Sequence, residues 1–306
     1  MEHAATAIRM RARDSLLCDS SHLLPSPASV RKQLGPLVFT MQDYHVPEAL
    51  GALRAKRPLV HHITNYVTAN DCANVTMCIG AAPVMAEAKE EVEDMVELAS
   101  ALVLNIGTLR PEQVEAMLLA GRRANHLSIP VVLDPVGAGA TPYRTRTALM
   151  LMEKLHIDVL KGNAGEIGVL NGSGGKVVGV DSRGIRGDPI VVAAEFARNR
   201  GGLVVISGAT DIVSDGRRTL LVDNGHPLMG KVSGTGCMAT SILASYLGTL
   251  QDPLLASVAA LSSFGVAGED AALHAKRPAS FKIGLLDAVA ALSPEHLTGR
   301  IKVRVV

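Results

Sequence analysis

Short runs of β-branched and aliphatic residues alternate along this chain with segments whose apolar positions recur at helical spacing. From residue 58 onward, PLVHHIT (58–64), APVM (82–85), ALVLNIG (101–107), IPVVLDP (129–135), IDVLKGN (157–163) and GLVVISG (202–208) read as strands, each closing in residues suited to turns. Between them, Val92, Met95, Val96 and Ala99 fall at i, i+3, i+4 and i+7. Val114, Met117, Leu118 and Gly121 repeat the spacing, so both segments are expected to lay one apolar stripe against a sheet. Strands alternating with helices in this way predict an α/β layered fold with a central, mostly parallel sheet flanked by helices. DIVSDGRRTLLVDNG (211–225) predicts a hairpin, the apolar stretch after it predicts buried helices, and the closing IKVRVV predicts an edge strand. The glycine-rich stretch 171–187 predicts a loop or a small irregular insertion, and no internal repeat is present.

Composition narrows the function classes. Of 306 residues 48% are apolar, and 30 Lys and Arg stand against 29 Asp and Glu, which excludes a disordered polyampholyte and a strongly basic partner of nucleic acid. Four Phe, four Tyr and no Trp leave no stacking platform for single strands. Cys18, Cys72, Cys78 and Cys237 form no CxxC pair and have no zinc-like spacing to His, so a reducing cytoplasm is the expected home. Cys72 and Cys78 fall on a predicted helix and are expected in the core. The longest uncharged run, 232–251, carries too many Ser, Thr and Gly for a membrane span and reads as a buried helix. Residues 1–40 hold Arg9, Arg11, Arg13 and PSPAS without a signal-peptide core. They are expected to be a disordered extension or the product of an upstream start, Met41 lying just before the first periodic segment, a transit peptide being the weaker reading, with one domain over 41–306.

In open parallel sheets, ligands bind beyond the carboxyl ends of the strands. Polar residues stand at three of those ends: Asp134 in LDPVGAG, Asn163 and Glu166 in KGNAGE, and Ser207 with Asp211 in SGATD. Asp134 and Glu166 are the pair best suited to hold Mg²⁺, directly or through its waters, against phosphate oxygens. Their structural alternatives are a turn cap before Pro135 and a solvated first helical turn. KVSGTGCMATSILASYL (231–247) sets Gly234 and Gly236 directly before a long helical segment. Unpaired N–H groups of that first turn, reinforced by the helix dipole, would make an anion hole for a phosphoryl group in flight. Cys237 lies in that turn, where the dipole is expected to lower its thiol pKa. It reads as a general base, a covalent nucleophile or a small buried hydrophobe. Gly225 to Val232 imitates a P-loop but lacks the Ser or Thr that ligates Mg²⁺, and Pro227 removes an N–H donor. His61 and His62 are neighbours on a strand and point to opposite faces, which favours a structural role over a shared metal.

From about Pro58 to Ala291 the chain resembles the hydroxyethylthiazole kinase family of the ribokinase-like superfamily. PLVHHITNYVTAND, GAAPVMAEAKEEVEDM, ALVLNIGTL, VVLDPVGAGATPYRT, KGNAGEI, NGHPLMGKVSGTGCMATS and AALSSFGVAGEDA carry the likeness as seven blocks in order. The resemblance implies ATP-dependent, Mg²⁺-assisted phosphorylation of the hydroxyl of 4-methyl-5-(2-hydroxyethyl)thiazole. It also implies a homotrimer with active sites between subunits. Carried onto this chain, it implies that Met85, Gly234 and Asn65 bind the thiazole, and that Lys161, Ser207 and Asn163 serve ATP. Asp134 and Glu166 would be the metal and phosphate carboxylates. Cys237 would be the cysteine that replaces the catalytic Asp of related kinases, acting with Gly234 and Gly236. Lys161 departs from the usual Arg of this block, exchanging a bidentate fork for a point charge that bears on nucleotide affinity. Two rival readings remain: another small-alcohol kinase of the superfamily, such as a hydroxymethylpyrimidine kinase, and a thiazole- or thiamine-binding module without turnover.

Overall fold

The computed structural model describes residues 45–172 and 185–306, together with the backbone of two short strands between them. The expected N-terminal extension lies outside the described residues. In chain order the elements are α1 (Val46–Lys56), β1 (Leu59–Ile63), α2 (Ala69–Ile79), β2 (Ala82–Val84), α3 (Val92–Leu98), β3 (Ala101–Asn105), α4 (Pro111–Leu127) and β4 (Val131–Asp134). There follow α5 (Pro142–Lys154), β5 (Val159–Asn163), α6 (Ala164–Leu170), β6 (Lys176–Val178), β7 (Asp181–Arg183), α7 (Pro189–Arg200), β8 (Leu203–Ser207), β9 (Asp211–Ser214) and β10 (Thr219–Val222). A 3₁₀ turn (Pro227–Lys231), α8 (Thr235–Leu247), α9 (Pro253–His274), α10 (Pro278–Ala291), α11 (Pro294–Leu297) and β11 (Val303–Val305) complete the described chain.

One nine-stranded sheet takes the order β11-β10-β9-β8-β5-β4-β3-β1-β2. From β2 to β8 every pairing is parallel, which requires the helical crossovers that the alternating sequence pattern supplies. The β9–β10 hairpin and β11 extend the sheet antiparallel, β11 forming its edge. Successive strand residues feed opposite faces. Ala101 and Val103 join a core cluster under α1, α2, α8, α9 and α10, while Leu102 and Leu104 join one under α3 to α7. Both faces are therefore dry, and the central strands are apolar apart from the buried His61, His62 and Lys161 and the polar residues at their carboxyl ends. Proline in the first turn opens α4, α5, α7, α9 and α10, where its missing N–H costs nothing and its fixed φ suits the helix. Thr141, Asp188 and Asp252 cap three of these helices by accepting main-chain N–H groups.

The uncharged run becomes α8, buried without a break from Met238 to Leu247 because it lies between the sheet and its neighbours α2 and α9. Among the described residues no helix is long and apolar enough to cross a membrane. Cys72 is buried in α2 and Cys78 is half-buried against the same core. The stretch read as a loop or irregular insertion holds more order than expected: β6 and β7 pair antiparallel as a separate two-stranded sheet. Glycines flanking short polar segments hid that pairing, because strands of three residues carry almost no periodic signal.

Candidate active site

The parallel register brings the polar strand ends together. Asn105 at the end of β3 pairs with Asp134 at the end of β4, and Asn163 at the end of β5 pairs with Ser207 at the end of β8. Helix α8 points its N-terminus at this edge. Gly234, its N-cap, has φ +92°, and a Cβ there would lie 2.8 Å from Thr68 Cγ2. Only glycine fits that position without strain. No side chain caps the helix, so the first turn keeps its N–H groups for a ligand. A Cβ on Gly236 would meet nothing within 4 Å, and this residue borders a cavity of about 500 Å³.

That cavity is also bordered by Lys161, Ser207, Asp211, Asn224, Gly225 and Phe264. Lys161 is 2% exposed, and its Nζ donates to Gly236 O at 3.0 Å. Its charge pulls down the pKa of Asp134, Glu166 and Asp211, so one buried cation serves three carboxylates. Burial works the other way on all three. It raises Asp134 above the ordinary carboxylate range, against Lys161 and the hydrogen bonds from Thr240 and Asn105. Burial and the nearby Asp134 charge push Glu166 up to about 7, against main-chain N–H groups of Gly137 and Asn163. Burial lifts Asp211 to about 6, although Gly208 N donates to it at 2.9 Å.

Asp134 does not cap the turn before Pro135: its Oδ2 accepts from Thr240 Oγ1 at 2.7 Å and from Asn105 Nδ2 at 3.0 Å. Nor is Glu166 on a solvated turn. It is 5% exposed, accepting from Gly137 N at 2.7 Å through Oε1 and from Asn163 N at 2.9 Å through Oε2. Asn163 Oδ1 accepts Glu166 N in return, a capping box that opens α6. Ser207 Oγ donates to Gly162 O at 3.3 Å. The loops after β3 and β4 are tied by Arg144, which donates to Gly107 O at 2.7 Å and Val136 O at 2.6 Å.

A second, uncharged cluster adjoins the first turn of α8. Asn65, after β1, has its Oδ1 on Thr68 N and Oγ1 and its Nδ2 on Asn105 Oδ1 at 3.0 Å and Cys237 Sγ at 3.5 Å. Asn105 Nδ2 donates to the same sulfur at 3.3 Å. The lowered thiol pKa expected from the helix dipole does not hold. Burial, with the Asp134 charge next, raises the Cys237 pKa above that of a free thiol, against hydrogen bonds from Thr68 and Asn105 and the Lys161 charge. Desolvation of a thiolate outweighs half a dipole charge. His61 and His62 diverge as expected: Nε2 of His61 bonds Ala86 O, while His62 bonds Val60 O and Ser241 Oγ. Among the described residues no group of three or more His, Cys, Asp or Glu could hold a metal.

The structure thus gathers Asn65, Asp134, Cys237, Gly234 and Gly236 around the start of α8, with Lys161 and Ser207 along the cavity. Asn163 and Glu166 join them through the start of α6. Met85, directly after edge strand β2, is 37% exposed and does not border the cavity. Sequence reasoning passed over Asn105 and Thr240, yet Asn105 closes an apolar run just as Asp134 does. It also missed that the P-loop imitation, which forms a 3₁₀ turn and no phosphate cradle, lends Gly225, Pro227 and Met229 to the cavity wall.

This mostly parallel sheet between two helical layers, with a glycine-started helix against its strand ends, is a ribokinase-like fold. A ribokinase-like protein from Enterococcus faecalis V583 shares it, with a TM-score of 0.56 over 82% of each chain at 14% identity. Residues 50–295 match the model of the hydroxyethylthiazole kinase family, and the chain belongs to that family. The hydroxyethylthiazole kinase of Methanocella arvoryzae is 61% identical over 255 residues, 83% of this chain and 96% of that one. The solved hydroxyethylthiazole kinase protein of Pyrococcus horikoshii OT3 superposes with a TM-score of 0.79 at 44% identity, covering 85% of this chain and 98% of the other.

Proposed function

We propose that the chain, as one domain over residues 41–306, transfers the terminal phosphoryl group of ATP to the hydroxyl of 4-methyl-5-(2-hydroxyethyl)thiazole in thiamine salvage. The observation that carries this reading is the meeting, at one helix N-terminus, of a charged nucleotide-sized cavity and a neutral amide–thiol cluster. Phosphates need the first, and an uncharged alcohol suits the second.

Asp134 and Glu166 fit a Mg²⁺ ion. They are hard oxygen donors, buried and mutually repelling, and Mg²⁺ takes one or two carboxylates while phosphates and water complete its shell. When bound, it would neutralise charge on the phosphate oxygens. Lys161 faces the same anion from the cavity wall, with Ser207 and Asn163 on the nucleotide side. The first-turn N–H groups at Gly234 to Cys237 are aimed where charge builds during transfer. Met85 and Asn65 would bind the thiazole, and Cys237 would stand beside the attacking hydroxyl. A thiol whose pKa is raised stays protonated near neutral pH and offers little thiolate to take a proton, so alignment and charge stabilisation supply most of the rate.

The resemblance extends to a homotrimer with shared active sites. Tyr66 at 78% and Val67 at 59% exposure, directly after Asn65, are bulky apolar residues that a second subunit would cover. A cytoplasmic home suits the free thiols of Cys72, Cys78 and Cys237. The test is ADP release from Mg²⁺-ATP with and without the thiazole. Thiazole-dependent turnover is expected; tight thiazole binding with no ADP above the control would make the chain a binding module.

A further inference from the structure

Asn105 makes all the hydrogen bonds an amide side chain can make, and every one of them ends in the site. Main-chain N–H groups can only donate, so Gly107 N at 2.9 Å fixes which end of the amide is oxygen. Asn105 Oδ1 therefore faces Gly107 and Asn65, and its NH₂ group faces Asp134 Oδ2 at 3.0 Å and Cys237 Sγ at 3.3 Å. Thr68 N fixes Asn65 in the same way, which turns the Asn65 NH₂ toward Asn105 Oδ1 and the same sulfur. Two amide donors thus converge on Cys237 Sγ, which receives both as an acceptor. The thiol hydrogen points to neither of them. Asn105 is 1% exposed and is not among the residues that border the cavity. A Cβ on Gly107 would come within 2.8 Å of Asn65 Cβ, so the chain keeps a glycine where the two amides close up.

We propose that Asn105 is a positioning residue for phosphoryl transfer: its NH₂ group holds the Cys237 sulfur and the Asp134 carboxylate in one fixed relation, and it acts on turnover through Cys237. The proposal rests on the kinase reading. Buried, fully satisfied amide networks are stiff, because any rotation leaves at least one polar group unpaired. An attacking oxygen between sulfur and carboxylate needs that stiffness, since misplacement by about 1 Å can cost on the order of 100-fold in rate.

A double-mutant cycle tests it in the full chain. Asn105→Ser is expected to lower kcat roughly 30-fold while KM for ATP and for the thiazole shift less than about threefold. In a Cys237→Ala background, itself slower in kcat with little change in ATP binding, Asn105→Ser is expected to cost less than about threefold more. Thiazole binding by calorimetry, without nucleotide or metal, is expected to match wild type. Equal losses in both backgrounds overturn the proposal, because Asn105 would then act through Asp134 alone. So do an unchanged kcat and a loss of thiazole binding. Should Asn105→Ser fail to fold, Asn105→Thr fills more of the space, suits a strand, has a single O–H that cannot donate to Asp134 and Cys237 together, and is expected to show the same non-additivity. A wild-type chain without thiazole-dependent turnover instead sinks the kinase reading, and the proposal with it.

Discussion

The two halves of the site solve opposite problems around one helix start. On the charged side, Asp134, Glu166 and Asp211 share the single ammonium of Lys161, so two buried acids and a half-buried one face one buried cation. On the other side, Asn65, Asn105, Thr68 and Cys237 are neutral and satisfy one another. Unbalanced charge is tolerable only where a ligand brings the missing sign, whereas a neutral network is complete without a ligand. The charged half is therefore expected to be soft and ligand-dependent, and the neutral half rigid. Gly236 O joins the two halves through its bond to Lys161.

The contrast breaks most readily at Asp134. Asp134→Asn keeps the shape but removes the charge on which both halves meet. Turnover is expected to fall by about 1,000-fold, with thiazole affinity by calorimetry nearly unchanged; a loss under tenfold would mean that the chemistry lies elsewhere. Lys161→Met ranks next. It leaves three carboxylates without their cation, and roughly 3 kcal/mol of stability in urea unfolding is expected to go, together with a raised KM for ATP. Saturating Mg²⁺-ATP should restore part of the lost stability, because its Mg²⁺ brings countercharge to the carboxylates.

Protons should destabilise the contact between β1 and α8, where His62 bonds Ser241. Burial holds His62 down at about 4, against an ordinary histidine value of 6.5. Its folded form resists protonation that the unfolded chain accepts, so this stability is full above pH 6.5 and is lost as pH falls toward 4. About 2 kcal/mol should disappear between pH 7 and pH 5, read as a shift in urea midpoint that His62→Gln largely removes. The two glycines of α8 separate the halves with the smallest effect. Gly234→Ala forces a left-handed φ and a contact with Thr68, costing roughly 1–2 kcal/mol. Gly236→Ala meets open space and should leave the melting temperature within a few degrees or raise it. Its methyl group projects into the cavity margin, so it should show instead as a several-fold rise in KM for ATP.

The periodic pattern made the central strands and most helices readable, because both faces of a parallel sheet demand unbroken apolar runs. It marked Asp134 as an acid at the end of such a run, and Glu166 as an acid just beyond another. Short strands without periodicity, β6 and β7, escaped it. Asn105 escaped because an amide at a strand end looks like a turn residue until its four partners are known.

From residue order alone came the layered fold, the glycine-started helix and the family likeness, all consequences of local spacing and of motifs contiguous in the chain. Tertiary structure alone decided that Lys161 serves three acids, that burial overrides the dipole at Cys237, and that two amides converge on one sulfur. The two amides reach that sulfur across 132 and 172 positions of chain, and Lys161 reaches Gly236 across 75. Desolvation and hydrogen-bond direction depend on what surrounds a group in space, and neighbours along the chain do not carry that information.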